Sequence, residues 1–361
     1  MSVLEPNGAA GNHASVARDT PGPVVMEAIG LCKDFRLSHG QVLSAVRGVS
    51  LSLYRGGVVA LVGESGSGKS TVAKLLAGQE KPSAGTVRLE GRPVVVSNRR
   101  SFRLYKSKVQ YVFQDPFGSL NPVHTVRHHL ERPLRLHVRA PKSKLEARLL
   151  ELMNQVRLTP AEQFLSMYPH ELSGGQRQRV SFARALAAGP KVLLADEPVS
   201  MLDVSIRLDM LNLLDDLRRR LELALLYITH DIASARYFAD EALVMYAGQI
   251  VERGPAEQLT QLPAHPYTQL LVASAPDPED LGGSLRRGPK LAGRGQVAAA
   301  SPATVGCSFS SRCPFADERC RTRAPDLVNI GPTRAAACWH LDVAARALAS
   351  QSKGVRADQN V

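Results

Sequence analysis

Two stretches of this chain carry residues suited to phosphate chemistry. The first is Gly63-Glu64-Ser65-Gly66-Ser67-Gly68-Lys69-Ser70, followed by Thr71. It fits the pattern G-x-x-x-x-G-K-[ST] and lies between an apolar run, Val58–Val62, and a stretch at 71–77 that reads as helix. That is the strand–loop–helix setting the pattern requires. Glycines at these positions let main-chain N–H groups curl around a β-phosphate, and the following helix N-terminus adds positive potential. Lys69 is placed to reach the β- and γ-phosphates, and the Ser70 hydroxyl to ligate Mg²⁺. The second is Val192-Leu193-Leu194-Ala195-Asp196-Glu197, an apolar strand ending in two carboxylates. Asp196 can hold Mg²⁺ through water, and Glu197 can polarise a water attacking a γ-phosphate. Alone, such a tip reads as a solvated acidic strand end. With the Lys69 loop in the same chain it reads as the other half of an ATP site.

A third group lies near the C-terminus. Cys307, Cys313, Cys320 and Cys338 are spaced C-x5-C-x6-C-x17-C in a chain with five cysteines, the fifth being Cys32. Thiolates are soft ligands that suit iron–sulfur clusters or zinc. Structural zinc prefers paired C-x2-4-C knuckles. The longer, uneven spacing fits more easily around a [4Fe–4S] cluster, with Zn²⁺ and free or disulfide thiols as the alternatives. His340 is a possible alternate ligand, more simply read as a surface residue. A disulfide framework suits neither ATP-using machinery nor a chain read as having no export signal.

These residues need elements to position them. Residues 1–22 mix Gly, Ala, Asn, Pro and Ser without period and read as a disordered arm. Short buried-strand patterns recur at 58–62, 109–113, 192–195, 225–228 and 242–245. A helical face runs through Ile206, Met210, Leu213, Leu217 and Leu221. Strands alternating with helices predict an α/β fold with a mainly parallel sheet covered on both faces. From about 120 to 187 the pattern is helical, which predicts an inserted helical subdomain. One further helix is expected after Tyr267. Residues 276–302 are Gly/Pro-rich and read as a linker, so the expected division is a core at 23–275 and a cysteine-rich extension at 303–361.

Between the two phosphate stretches lies Leu172-Ser173-Gly174-Gly175-Gln176-Arg177-Gln178-Arg179. Ser and Gly at a helix start leave backbone donors free for a γ-phosphate. In this order the segment resembles the signature of ATP-binding-cassette (ABC) ATPases. Gln114 resembles the glutamine of the family's Q-loop. Ser200-Met201-Leu202-Asp203 resembles the D-loop, with Met where Ala is commoner. His230 resembles the switch histidine, and Phe35 the aromatic that stacks on adenine, a plain core Phe being the competing reading. The resemblance spans about 24–275. It implies a P-loop core with an added antiparallel β subdomain, and two such domains paired head to tail. ATP on Lys69 of one would be completed by Ser173 and Gly175 of the other, with Glu197 activating water and His230 on the γ-phosphate. Gln114 would lie by the groove that receives a permease's coupling helix.

The run from Tyr111 to Pro122, Tyr168-Pro169-His170-Glu171 and His265-Pro266-Tyr267-Thr268 are similar to dipeptide and oligopeptide importers, a group shared with nickel and glutathione importers. The cysteine spacing resembles the four-cysteine tail of some of these ATPases, thought to hold a cluster. The resemblance implies two permease subunits, a second and unlike ATPase, an extracytoplasmic solute-binding protein acting indirectly, and a peripheral place on the cytoplasmic face of the inner membrane. No apolar run approaches the roughly 18 residues of a membrane span, so a membrane role is expected through partners. The net charge of +12 suits anionic lipid or an anionic ligand. Without a basic helix or aromatic-interleaved basic stripe, no nucleic-acid partner is expected. The other readings are a soluble, non-transport ABC ATPase, which usually carries two cassettes or large insertions, and a redox- or iron-sensing regulator.

Overall fold

The computed structural model describes residues 22–37, 41–138, 141–274 and 305–342. The expected arm, the linker and the end of the extension lie largely outside the described residues. The strands are β1 (Val24–Arg36), β2 (Val42–Tyr54), β3 (Val58–Val62), β4 (Ala84–Leu89), β5 (Arg92–Pro93), β6 (Val109–Val112), β7 (Val192–Asp196), β8 (Ala224–Thr229), β9 (Glu241–Tyr246), β10 (Gln249–Pro255), β11 (Val328–Asn329) and β12 (Ala335–Ala336). One sheet has the order β2-β1-β4-β5 and is antiparallel. The other has the order β11-β12-β10-β9-β3-β8-β7-β6. Its strands from β9 to β6 run parallel, and β10, β12 and β11 extend it antiparallel.

Strand β3 explains the layering. All its residues are buried. Val58, Ala60 and Val62 point into a core shared with the helices, while Val59 and Leu61 point into a second core shared with β1, β2 and helix Lys69–Leu76. A period of two with both faces apolar is what a central parallel strand requires.

Between β6 and β7 the chain is helical: Val126–Pro133, Lys142–Gln155, Ala161–Ser166 and Gly174–Leu186. Helix Val204–Leu221 buries Met210, Leu213 and Leu217, as its spacing predicts. Leu221 instead is 42% exposed, because the chain turns away at Glu222, which takes a positive φ of 51°. Strand β6 stops at Val112, one residue short of the expected end, so Phe113 and Gln114 leave the sheet exposed.

The helix expected after Tyr267 begins at Pro266 and runs to Ser274, with proline in the first turn, where its missing N–H costs nothing. Segment 305–342 docks beside it. Strand β12 pairs with β10, and Glu252 on β10 is fully buried. The Glu252 carboxylate accepts the amides of Ala264 and His265 (2.9 and 2.8 Å) and pairs with Arg334 at 3.0 Å. Buried Tyr267 and Phe309 meet Tyr246 edge-on, and Phe309 lies tilted against Tyr267 and His265, at ring separations of 4.6–5.8 Å.

Burial pushes the His265 imidazole down to about 3, and its Nδ1 accepts the amide of Tyr267 at 3.0 Å, which only the neutral ring can do. A folded value below the unfolded one near 6.5 means the unfolded chain binds the extra proton first. Stability from the neutral ring is therefore complete above about pH 6.5 and is lost as pH falls toward 3. Between pH 7 and 5 the loss should be about 2 kcal/mol. Thermal unfolding across that range measures it, and His265→Asn should flatten the dependence.

Candidate nucleotide site

Lys69, Gln114, Glu197 and His230 meet because of strand order. The loop of residues 63–68 leaves the C-terminal end of β3. His230 follows β8, Glu197 follows β7 and Gln114 follows β6, and these four strands are successive neighbours. In a parallel sheet, ligands bind at the carboxyl ends of the strands.

The loop is fixed by glycine. Gly68 has φ 103°, and a Cβ there would lie 2.3 Å from the Ala45 carbonyl oxygen. A Cβ on Gly63 would lie 2.2 Å from the carbonyl oxygen of Met245. A side chain at Gly68 would push the loop off β2, and one at Gly63 would push it off β9. Lys69 is buried, and its Nζ donates to the carbonyls of Gly63 (2.7 Å) and Glu64 (2.9 Å). Burial lowers the pKa of its ammonium group, opposed by Glu197, Asp196 and Glu64. The Ser67 hydroxyl is buried without a hydrogen-bond partner. An unpaired buried hydroxyl costs about 1–3 kcal/mol, and a phosphate oxygen would satisfy it. Gly66 and Ser65 are on the surface of the loop, and Thr71 is half-buried in the helix that follows.

Ser70 Oγ donates to Asp196 Oδ1 at 3.1 Å. Hydroxyl and carboxylate oxygens side by side suit Mg²⁺, a hard cation that keeps most of its waters, so the pair fits the ion. Tyr111 donates to the other oxygen of Asp196, Oδ2, at 2.5 Å. Burial and Asp196 raise the pKa of the Tyr111 phenol, so it stays a donor. Nothing in the sequence around Tyr111 announces this contact. It arises because Tyr111 is in register with Leu194, two residues before Asp196.

Glu197 adopts a positive φ of 45°. Its amide donates to Ile228 O at 3.0 Å, and its carbonyl accepts the amide (3.2 Å) and hydroxyl (2.9 Å) of Ser200. A strained conformation persists only when its surroundings over-determine it, and such residues cluster at functional sites. Gln114 Nε2 and His230 Nδ1 each lie 3.1 Å from Glu197 Oε2. A carboxylate only accepts, which assigns the His230 proton to Nδ1. Both donors use the same oxygen, Oε2.

The signature residues and Asp203 do not join this constellation among the described residues. Ser173 caps helix Gly174–Leu186: its hydroxyl accepts the Gln176 amide (3.3 Å), and Gln176 Oε1 accepts the Ser173 amide (2.8 Å). Buried Leu172 accepts the Arg177 guanidinium on its carbonyl, and a Cβ on buried Gly175 would lie 3.1 Å from Ile206. Ser173 itself is exposed beside Gly174, a cap open to a ligand from another molecule. Asp203 is the exposed N-cap of helix Val204–Leu221. Phe35 is half-buried near the end of β1, opposite Leu43, with Lys33 Nζ 4.9 Å from its ring centroid.

Four of the five cysteines lie in segment 305–342. Cys320 is buried and Cys307, Cys313 and Cys338 half-buried. Burial raises all four thiol pKa values, to about 11 for Cys313 and Cys338, and the fields of neighbouring cysteines raise those of Cys313, Cys320 and Cys338 further. Donor atoms of Asp317, Cys320 and His340 lie within 4.8 Å of one another. Asp317 Oδ1 accepts the Cys320 amide at 2.9 Å, and its Oδ2 lies 3.1 Å from His340 Nε2. His340 is therefore half-buried against a carboxylate, not the surface residue its position suggested.

Comparison with known proteins agrees with this geometry. Residues 46–200 match the family described as ABC transporter, and residues 251–320 the oligopeptide/dipeptide transporter C-terminal region. The di/tripeptide transport ATP-binding protein DppF of Pseudomonas aeruginosa is 40% identical over 308 residues, covering 84% of this chain and 92% of that protein. The dipeptide transport ATP-binding protein DppF of Escherichia coli is 37% identical over 325 residues, covering 88% and 95%. Among solved structures, cbiO1 of Clostridium perfringens, part of the ABC transporter complex cbiONQ, superposes with a TM-score of 0.59 at 26% identity, covering 66% of this chain and 91% of that one. The dimeric bacterial ABC transporter cassette MJ0796 gives 0.58 at 29%, covering 64% and 98%. The chain belongs to the ABC transporter family, as an ATPase in its branch of peptide-transport ATP-binding proteins.

Proposed function

We propose that this chain powers the import of di- and oligopeptides, hydrolysing ATP at a site where Glu197 is the general base. The observation that carries the reading is the convergence of Gln114 and His230 on one oxygen of Glu197, beside the Ser70–Asp196 pair. Lys69 and the amides of residues 63–71 would hold the phosphates, with Phe35 at the adenine. Asp196 and Ser70 would hold Mg²⁺, and His230 would contact the γ-phosphate. Residues 172–176, with Ser173 exposed, and exposed Asp203 stand at two helix starts and would complete the site of a partner ATPase in a head-to-tail pair. The peptide solute is supported by the DppF relatives and by the C-terminal match.

No described helix is long and apolar enough to cross a membrane, so this reading needs partners: two permease subunits, a second and unlike ATPase, and indirectly an extracytoplasmic solute-binding protein. The chain would sit on the cytoplasmic face of the membrane. A groove lined by Gln110, Phe113, His124, His128, Arg132 and Arg184 opens beside Gln114 and suits a permease's coupling segment. In domain terms, residues 23–275 form the nucleotide-binding unit, with its helical part at about 120–187, and 303–361 the extension beyond a 276–302 linker.

The extension would hold a [4Fe–4S] cluster on Cys307, Cys313, Cys320 and Cys338. Tetrahedral zinc with bonds of about 2.3 Å needs its sulfurs within about 4 Å of one another. The compact donor set is instead Asp317, Cys320 and His340. That set favours a second reading, a single Zn²⁺ on those three residues. Purification of the assembled complex without oxygen tests both the partners and the metal. The expected result is two permeases, a second ATPase, and about four irons per chain with a broad visible absorption. Zinc without iron would select the second reading, metal-free folded protein would remove both, and a chain that never co-purifies with permeases would overturn the transport role.

A further inference from the structure

Glu64 is the second residue of the phosphate loop, and three of its groups are held. Its carbonyl accepts Lys69 Nζ at 2.9 Å. Its amide donates to the Tyr267 hydroxyl at 2.8 Å. Its carboxylate takes both terminal nitrogens of Arg312, at 2.8 and 2.9 Å. Tyr267 and Arg312 lie far down the chain, Arg312 directly before Cys313 in the cysteine-bearing segment.

The Arg312–Glu64 pair is not an ordinary surface ion pair. The side chains are only 18% and 26% exposed. The guanidinium also lies 5.9 Å from the Tyr246 ring centroid and 5.7 Å from that of Phe309. Tyr267, whose hydroxyl receives the amide, is fully buried. A bidentate arginine–carboxylate pair fixes orientation as well as position, and packing against two rings removes the rotamer freedom that weakens exposed pairs. A contact that served only to fasten the segment could end anywhere on the core. This one ends on the residue whose carbonyl receives Lys69. A loop already fixed in its binding shape loses less conformational freedom when the phosphates arrive, and preorganisation appears as affinity.

We propose that Arg312 and Tyr267 are positioning residues for the phosphate loop, so that the cysteine-bearing segment sets the affinity of the site for ATP. Neither side chain needs to touch the nucleotide. Because Arg312 directly precedes Cys313, ordering of the segment around Cys313 also orders the clamp on Glu64. The inference rests on the ATP-site reading above. Failure of the wild-type complex to bind a fluorescent ATP analogue would overturn that reading instead.

The test uses Arg312→Met and Tyr267→Phe in the assembled complex, with binding of the fluorescent analogue, KM for ATP, kcat and nucleotide-free melting measured for each. Arg312→Met should raise Kd and KM about tenfold, which is about 1.4 kcal/mol, and Tyr267→Phe should raise them several-fold. For both, kcat should stay within twofold of wild type. Arg312→Lys, which keeps the charge but not the fork, should recover part of the loss. In a Glu64→Gln background the Arg312→Met effect should shrink to less than twofold, since the clamp has lost its acceptor charge. If Arg312→Met lowers the melting temperature, Tyr267→Phe, which removes one oxygen and no ring volume, carries the same readout. Kd and KM within twofold of wild type in both variants, or an Arg312→Met effect undiminished by Glu64→Gln, would overturn the proposal.

Discussion

Glu197→Gln should leave a complex that binds ATP with near-normal affinity and hydrolyses it about 10²–10⁴-fold more slowly, the range a positioned general base contributes. The change removes the basic oxygen and little else. The main chain at Glu197 is locked by Ile228 and Ser200, not by its own side chain, so the loop should keep its shape. An amide can still accept from Gln114 or His230 through its oxygen, but its NH₂ cannot take a proton from water. Steady-state phosphate release separates this from a binding defect, because KM should move little while kcat collapses. A variant retaining a tenth of wild-type turnover would show that another group deprotonates the water.

Lys69→Met should fail at the earlier step. The ammonium is buried, and burial lowers its pKa, so it awaits a strongly anionic partner. Truncating one member of a buried, hydrogen-bonded charge pair costs about 2–5 kcal/mol, so ATP affinity should weaken by about 10²–10³-fold. Methionine keeps the length and apolar stem, so the fold should survive. Equilibrium binding of a fluorescent ATP analogue measures this, and melting without nucleotide should be unchanged. The two variants therefore divide the site. Lys69→Met loses binding, and Glu197→Gln loses turnover with binding kept.

Both halves were legible in the sequence because each is local. The Lys69 loop is contiguous, and the apolar run before Asp196 marks its own strand. The convergence of Gln114, Glu197 and His230 was reachable only through a family resemblance. Its physical cause is the order β8-β7-β6, a long-range pairing that periodicity does not encode. Tyr111 stands out in the sequence only as part of a family mark, yet it donates to Asp196 across a strand pair. Arg312 and Glu64 are 248 residues apart, and no local pattern joins them. Leu221 continued a helical face that the turn at Glu222 cuts short. The signature at 172–176 is the opposite case: its sequence is plain, but among the described residues its exposed Ser173 cap lies outside the constellation around Glu197.

The central claim is that this chain couples ATP hydrolysis to peptide import. The most direct measurement is ATP hydrolysis by the assembled complex in lipid vesicles, with the solute-binding protein added empty or loaded with a dipeptide. The account predicts a low basal rate, a several-fold rise with the peptide-loaded receptor, and no rise when this chain carries Glu197→Gln. A rate indifferent to peptide in the wild-type complex, or a peptide-stimulated rate that survives Glu197→Gln, would contradict it.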